Sequence, residues 1–473
     1  MSGLFGELNR TSQALAAQSQ GVFTAGRNMA NVNNPAYARQ RIMLGDRGVV
    51  QTSLGSQSLG IEATGLEHIR DTLLDGQVLR ETSSMSSLES QADSYFKAQL
   101  ALGQRIDSQG GASFIDGAAS AGQGIGEALD NFFNAFSSLA SSPRSTAERQ
   151  VLYQRAATLM NGLKSADSRL GALQTDITGQ VNNDLATANE VLATISNLNQ
   201  QINRFEVGNP GSALDLRDQR QARLEELSKI MNVDVENVPN SAGQIRILSR
   251  DNADNPVVLL DSAKPFSPLT FDGTNVVGGR PATPLQLVSG RIFGGLTARD
   301  GTVADLRTNL DRLAAQLVSA VNGAYNPGGA STNFFDAAGT TAATMAFDST
   351  LTQDNIRTTT SADPGANDIA LAVAGLSTTT FATGAGAQFN GTFGSYYRGT
   401  VATIANATSN AESLLEDQTT MQRAILERRD SISGVSLDEE MADLTKYQRA
   451  FQASARMMRA IDEMLDTVVN RLG

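Results

Sequence analysis

At 473 residues the chain exceeds one ordinary hydrophobic core and is expected to divide into roughly two to four domains. Hydrophobic residues make up 40% and aromatics only 5%, with no tryptophan, which suits long, thin helical packing better than a compact enzyme. A net charge of −12 argues against nucleic acid and anionic membranes, and zero cysteines exclude disulfides, thiolate metal sites and cysteine catalysis.

Residues 1–33 read as a first helix. Along it Leu4, Leu8, Thr11, Leu15, Gln18, Val22, Ala25 and Met29 recur at alternating steps of four and three, the period that keeps one seam facing a partner helix. The opening residues lack the basic segment and apolar core of a cleaved signal peptide, and no stretch approaches the ~20 apolar residues of a membrane span. An Asn-rich stretch around Pro35 then ends the helix. Residues 41–70 hold short alternating segments that predict a hairpin or extended arm. Helix is expected again over 71–107 and, after a Gly/Ser/Ala-rich loop, over 128–139.

Ser145 and Glu148 have capping-box spacing and open the longest predicted element, 145–206. Its seam runs through Leu152, Ala156, Leu159 and Leu163, skips after Ile177, and resumes from Leu185 to Phe205. Such a helix would span about 90 Å at ~1.5 Å per residue. Gly162, Gly171 and Gly179 each weaken it by roughly 1 kcal/mol and predict a bend or break near 179. A second helix is expected over 214–231. Six of the eleven prolines then fall within 239–284, where alternating segments such as 244–247 predict a small β domain over 232–290.

Helix returns at 296–322, and the Thr/Ala/Gly-rich stretch 326–395 reads as loops with one short helix near 369–376. A long helix follows over 396–432. Ser436 and Glu439 repeat the capping-box spacing before the last helix. There Leu444, Tyr447, Phe451, Ser454, Met458, Ile461, Leu465, Val468 and Leu472 follow the three–four rule, and Met457 with Met458 reads as ordinary seam. Asp438, Glu439 and Glu440 suit the positive end of its dipole, and Arg471 the negative end.

The expected segments are therefore 1–40, a helix and turn paired with a C-terminal helix at 433–473; 41–231, an arm and helical bundle; 232–290, a small β domain; and 291–432, the return helices of the bundle. The fold class is mainly α with a small β domain, with long coiled-coil helices from both termini and mid-chain in an elongated multi-domain chain.

Catalytic chemistry is not evident. His68 is the single histidine, which rules out an HExxH zinc site and leaves a Ser-His-Asp triad without support. The glycines at 122–126 do not have GxGxxG spacing, and Asp251, Asp254 and Asp261 do not have EF-hand spacing. No enzyme activity, metal or cofactor is expected. Arg39 and Arg41, beside Tyr37, read equally as an interaction patch or as a solvated turn.

The stretch 28–40 resembles the N-terminal signature of the flagellar rod, hook and hook-associated proteins, with Asn28, Asn31, Tyr37, Arg39 and Gln40 matching. Asn34 stands where Thr is common and Ala36 where Gly is usual, so either the backbone at 36 needs no positive φ or the turn differs slightly. The closing stretch from 431, with Leu437, Asp438, Glu439 and Glu440, is similar to the C-terminal signature of that family, and 214–220 looks like an interior segment of its hook-associated branch. The resemblance implies a structural subunit of the bacterial flagellum at the hook–filament junction, secreted through the flagellar type III route. It implies as partners other copies of the chain in a ring, the hook protein, a second hook-associated protein on the filament side and an export chaperone. The terminal seams would gain order as neighbours bury them. A hook or filament subunit and a secreted coiled-coil adhesin are the alternative readings.

Overall fold

The computed structural model describes residues 2–52, 55–103, 124–239, 241–261, 266–329, 331–361, 363 and 365–470. It is mainly α, with small antiparallel sheets and long helices at both ends. The residues cluster into two compact units, one of 1–85, 185–290 and 418–473, the other of 86–184 and 291–417. Three long helices contribute residues to both units.

The first unit holds α1 (Ser2–Ala30) and an arm of four strands, β1 (Gln40–Asp46), β2 (Val49–Thr52), β3 (Gly55–Ser58) and β4 (Ile61–His68). β1 pairs with β4 and β2 with β3, both antiparallel, so the arm is a long hairpin. It lies on α1, where Arg10 donates to the Ser58 carbonyl at 3.0 Å and Arg47 to Gln13 at 2.5 Å.

Next along the chain come α2 (Thr72–Ala101), α3 (Ile125–Ser141), α4 (Thr146–Glu206) and α5 (Leu214–Ile230). The predicted box at 145–148 is half present: the Glu148 amide donates to Ser145 Oγ at 3.2 Å. α4 passes Gly162, Gly171 and Gly179 without interruption, so the expected break near 179 does not occur. Its buried face outweighs the weak propensity, since Leu152, Leu159, Leu163, Leu170, Leu192 and Ile195 are wholly inaccessible.

The strands β5 (Asp234–Asn237), β6 (Ile245–Arg250) and β7 (Pro256–Leu260) form one antiparallel sheet. A second consists of β8 (Thr270–Phe271), β9 (Val276–Gly278) and β10 (Thr283–Pro284). Asn189 and Asn199 of α4 tie both sheets down: Asn189 bonds the backbone of Leu269 at 2.7 and 2.9 Å, and Asn199 donates to the Ile245 carbonyl at 2.9 Å.

The second unit differs more from expectation. In place of one helix from 296 there is α6 (Arg291–Thr297), a π-helical stretch at Ala298–Val303 and α7 (Ala304–Tyr325). The wide turn carries buried Arg299, which reaches Thr178 Oγ1 at 3.1 Å while pairing with Asp300. The stretch 326–395 holds the one expected short helix, α8 (Asp368–Gly375), and a 3₁₀ turn at Thr383–Ala385, but it also supplies core. Phe334, Phe335, Met345 and Phe389 are buried there, and Phe334 stands edge-on to Phe132 and Tyr325. The chain closes with α9 (Phe393–Ser433) and α10 (Leu437–Asn470). Gly434 separates them, and a Cβ there would stand 2.3 Å from the Asp430 carbonyl oxygen.

Candidate assembly site

α1 packs along α10 within the first unit. Leu4, Leu8, Leu15, Val22 and Met29 are half-buried on one helix, as are Leu444, Tyr447, Phe451 and Met458 on the other, while Ile461 and Leu465 are buried. The two seams therefore face each other inside one chain rather than waiting for neighbours. Contact is close at Gly21, where an added Cβ would lie 2.6 Å from Tyr447 Cδ1. Met457 departs from its expected place: it is exposed, on a different side of α10 from Met458. The side chain of Val468 and the whole of Arg471 and Leu472 lie outside the described residues.

At one end of the seam the two signatures meet. Asn28 is buried in the last turn of α1, and Tyr37 OH donates to its Oδ1 at 2.8 Å. The same oxygen accepts from the Gln40 amide at 3.1 Å, while Nδ2 donates to the Gln40 carbonyl at 2.9 Å and to Glu440 Oε2 at 3.0 Å. Glu440 is buried on α10, and its other oxygen accepts from Arg39 Nε at 2.6 Å. Arg39 also meets Glu439 at 2.5 Å and Asp443 at 3.6 Å, and its amide donates to the Ser433 carbonyl at 2.9 Å. A short Asn–Tyr–Arg–Gln motif and two acids thus staple the chain's two ends in a fixed register.

The local turn explains the remaining signature positions. Asn31 Nδ2 donates back to the Arg27 carbonyl at 2.9 Å, and Asn34 Oδ1 accepts from the Ala36 amide at 3.2 Å. Ala36 has no positive φ, which is why glycine is dispensable there. Leu437 and Asp438 are exposed at the start of α10. The expected capping role for Glu439 gives way to its pair with Arg39, and Ser436 contributes its carbonyl to the Glu440 amide at 3.0 Å.

Electrostatics follow the burial. Burial alone would lower the Arg39 guanidinium, yet the charge and hydrogen bonds of Glu440 and Glu439 hold it above its usual value. Burial pushes the Tyr37 phenol up to about 12. Neither Arg39 nor Arg41 forms a free patch: Arg39 is turned inward and Arg41 pairs with Glu67.

Asp215 and Asp218 of α5 complete the cluster, and the sequence reading gave them no role. Asp215 accepts from Arg27 at 2.7 Å and from Gln40 Nε2 at 3.1 Å. Asp218 stands 3.2 Å from Arg70 and 3.3 Å from His68 Nε2, so the lone histidine lies beside a buried carboxylate. Arg429 of α9 binds Glu225 at 2.7 Å and the Pro35 carbonyl at 3.3 Å. The resemblance at 214–220 marked the segment but gave its two acids no partner. Among the described residues no group of His, Asp or Glu is arranged to hold a metal ion, and no helix is long and apolar enough to cross a membrane.

The family described as the flagellar hook-associated protein FlgK helical domain matches residues 115–342, and that described as the flagellar basal body rod FlgEFG protein C-terminal matches 429–472. The chain is 24% identical to flagellar hook-associated protein 1 of Bacillus subtilis (strain 168), over 100% of this chain and 99% of that protein. It is 22% identical to flagellar hook-associated protein 1 of Salmonella typhimurium (strain LT2), over 98% and 99% respectively. The solved flagellar hook junction protein FlgK from Burkholderia pseudomallei is 20% identical with a TM-score of 0.44, covering 53% of this chain and 43% of that chain. Along nearly its whole length the chain is thus similar to flagellar hook-associated protein 1, and nearly half of it matches the helical-domain family of that protein.

Proposed function

We propose that the chain is a structural, non-catalytic subunit of the bacterial flagellum, assembled as a ring of copies between hook and filament. The observation that carries this reading is the staple of Asn28, Arg39 and Glu440, which holds α1 and α10 in one register and leaves their outer faces for neighbours. Those faces bear large apolar groups. Phe5 and Phe23, both more than half exposed, are separated by five helical turns and so lie on one line of α1. Met457 and Met464, also more than half exposed, stand one heptad apart on α10. In this reading these are the positions at which a neighbouring subunit packs.

In this reading the terminal segments 1–40 and 433–473 form the inner layer of the ring, and 232–290 faces outward. The hook protein lies on one side and a second hook-associated protein on the filament side. The subunit reaches that position outside the cell by the flagellar type III route, accompanied before export by a chaperone. Electron microscopy of a strain lacking the gene tests it. Hooks without filaments, with filaments restored by the wild-type gene, are expected. Filaments in normal number on the hooks of the deletion strain would overturn the junction role.

A further inference from the structure

The first unit encloses a cavity of about 780 Å³, the size of a small-molecule site. Leu79, Leu214, Leu224 and Ile245 give it apolar wall, and Arg80, Arg217 and Arg220 give it charge. Arg217 is committed to Glu206 at 2.7 Å, and the lining Arg70 and Arg250 are likewise paired with carboxylates. Arg220 is different. It is more than nine-tenths buried, and both of its hydrogen bonds leave from Nη1, to Asn199 Oδ1 at 2.8 Å and to the Gly243 carbonyl at 2.7 Å.

Among the described residues neither Arg220 nor exposed Arg80 forms an ion pair with a carboxylate. Of the acids in the wall, Glu67, Asp75 and Asp234 are paired, and Glu236 on the edge strand β5 is not. The wall thus holds two unpaired guanidinium groups against one unpaired carboxylate. The nearby carboxylate of Glu206 acts on Arg220 from a distance but has both oxygens bonded to Arg217, so the buried guanidinium lacks a carboxylate of its own, and neutral acceptors on one nitrogen offset only part of that cost. Burial accordingly pulls Arg220 down to about 10. Guanidinium groups present a planar fork suited to carboxylates, and the leucines beside them suit an apolar chain.

We propose that this cavity binds a carboxylate borne on an apolar body, with Arg220 as its buried charge partner and Arg80 as its exposed one. The source of that carboxylate is either a free organic acid or a glutamate side chain flanked by apolar residues. Calorimetric titration of the full chain with octanoate, octanamide and a doubly blocked Leu-Glu-Leu tripeptide tests the proposal. Octanoate should bind one per chain, and octanamide at least about tenfold more weakly, as loss of a charge-assisted bond requires.

Arg220→Gln should abolish that preference, and Arg80→Gln should weaken octanoate severalfold with an unchanged melting temperature. If Arg220→Gln does not fold, Arg80→Gln decides. Tripeptide binding tighter than octanoate assigns the site to a protein side chain, and the reverse order to a free acid. No binding by either, equal binding of octanoate and octanamide, or full affinity in the folded variants would overturn it.

Discussion

Asn28 has all four of its polar positions occupied, two acceptor sites on Oδ1 and two donors on Nδ2. Substitution Asn28→Asp keeps the shape but removes both donors and sets a carboxylate against Glu440 and the Gln40 carbonyl. A loss of about 3–5 kcal/mol is expected, the scale for breaking a buried charged network. Asn31, the second Asn of the same motif, is half-buried and bonds only the Arg27 carbonyl with its side chain, so Asn31→Asp should cost about 1 kcal/mol or less. Urea unfolding of the two variants checks this, and equal losses would refute it. The motif was visible in the sequence as a resemblance. The unequal weights of its two asparagines were not, because Asn28 acquires its partner Glu440 from 412 residues away.

A second residue-scale prediction concerns acid. Glu206 is buried, which pulls its carboxyl up, but hydrogen bonds and charge from Arg217 and the amides of Gly211 and Ala213 hold it below its ordinary 4.5. A depressed folded value means that the pair stabilises the protein above the unfolded value and loses this as pH falls through the folded one. Glu206→Gln should therefore cost about 1.5–3 kcal/mol at neutral pH. The gap from wild type should narrow steadily in the acid range below 4.5. Paired urea titrations at neutral and acid pH measure it, and a constant gap would refute the assignment.

At the scale of elements, α1 and α10 approach each other at Gly21. Ala there would gain roughly 1 kcal/mol of helix propensity, but its Cβ would overlap the Tyr447 ring, an overpacking that costs about 1–3 kcal/mol. The clash should win narrowly, so Gly21→Ala is expected to lower the melting temperature. In a Tyr447→Ala background the same change should instead be neutral or stabilising. The sign reversal in a double-mutant cycle is the test. This pairing was legible because a three–four apolar repeat survives whatever the partner is. The π-helical turn at 298–303 was not legible, since it answers to Arg299 reaching Thr178 across the unit. The core in 326–395 was missed for a related reason: Phe334, Phe335 and Phe389 are isolated side chains in loops, with no period to betray them.

For the molecule as a whole, the closed seam separates folding from assembly. Leu465 is buried in the first unit, so Leu465→Asp should destabilise the monomer by roughly 2–5 kcal/mol and abolish self-association along with it. Met457 and Met464 are exposed in the single chain, and their replacement by Asp should leave the melting temperature within about a degree or two, since surface changes away from special features are small. In the proposed ring those positions would be covered, so the double variant should remain monomeric at concentrations where the wild type associates. Sedimentation velocity beside thermal melts distinguishes the two classes. Normal association of the Met457→Asp/Met464→Asp chain would mean that neighbours do not use this face of α10, and the contact would then have to be sought along the line of Phe5 and Phe23.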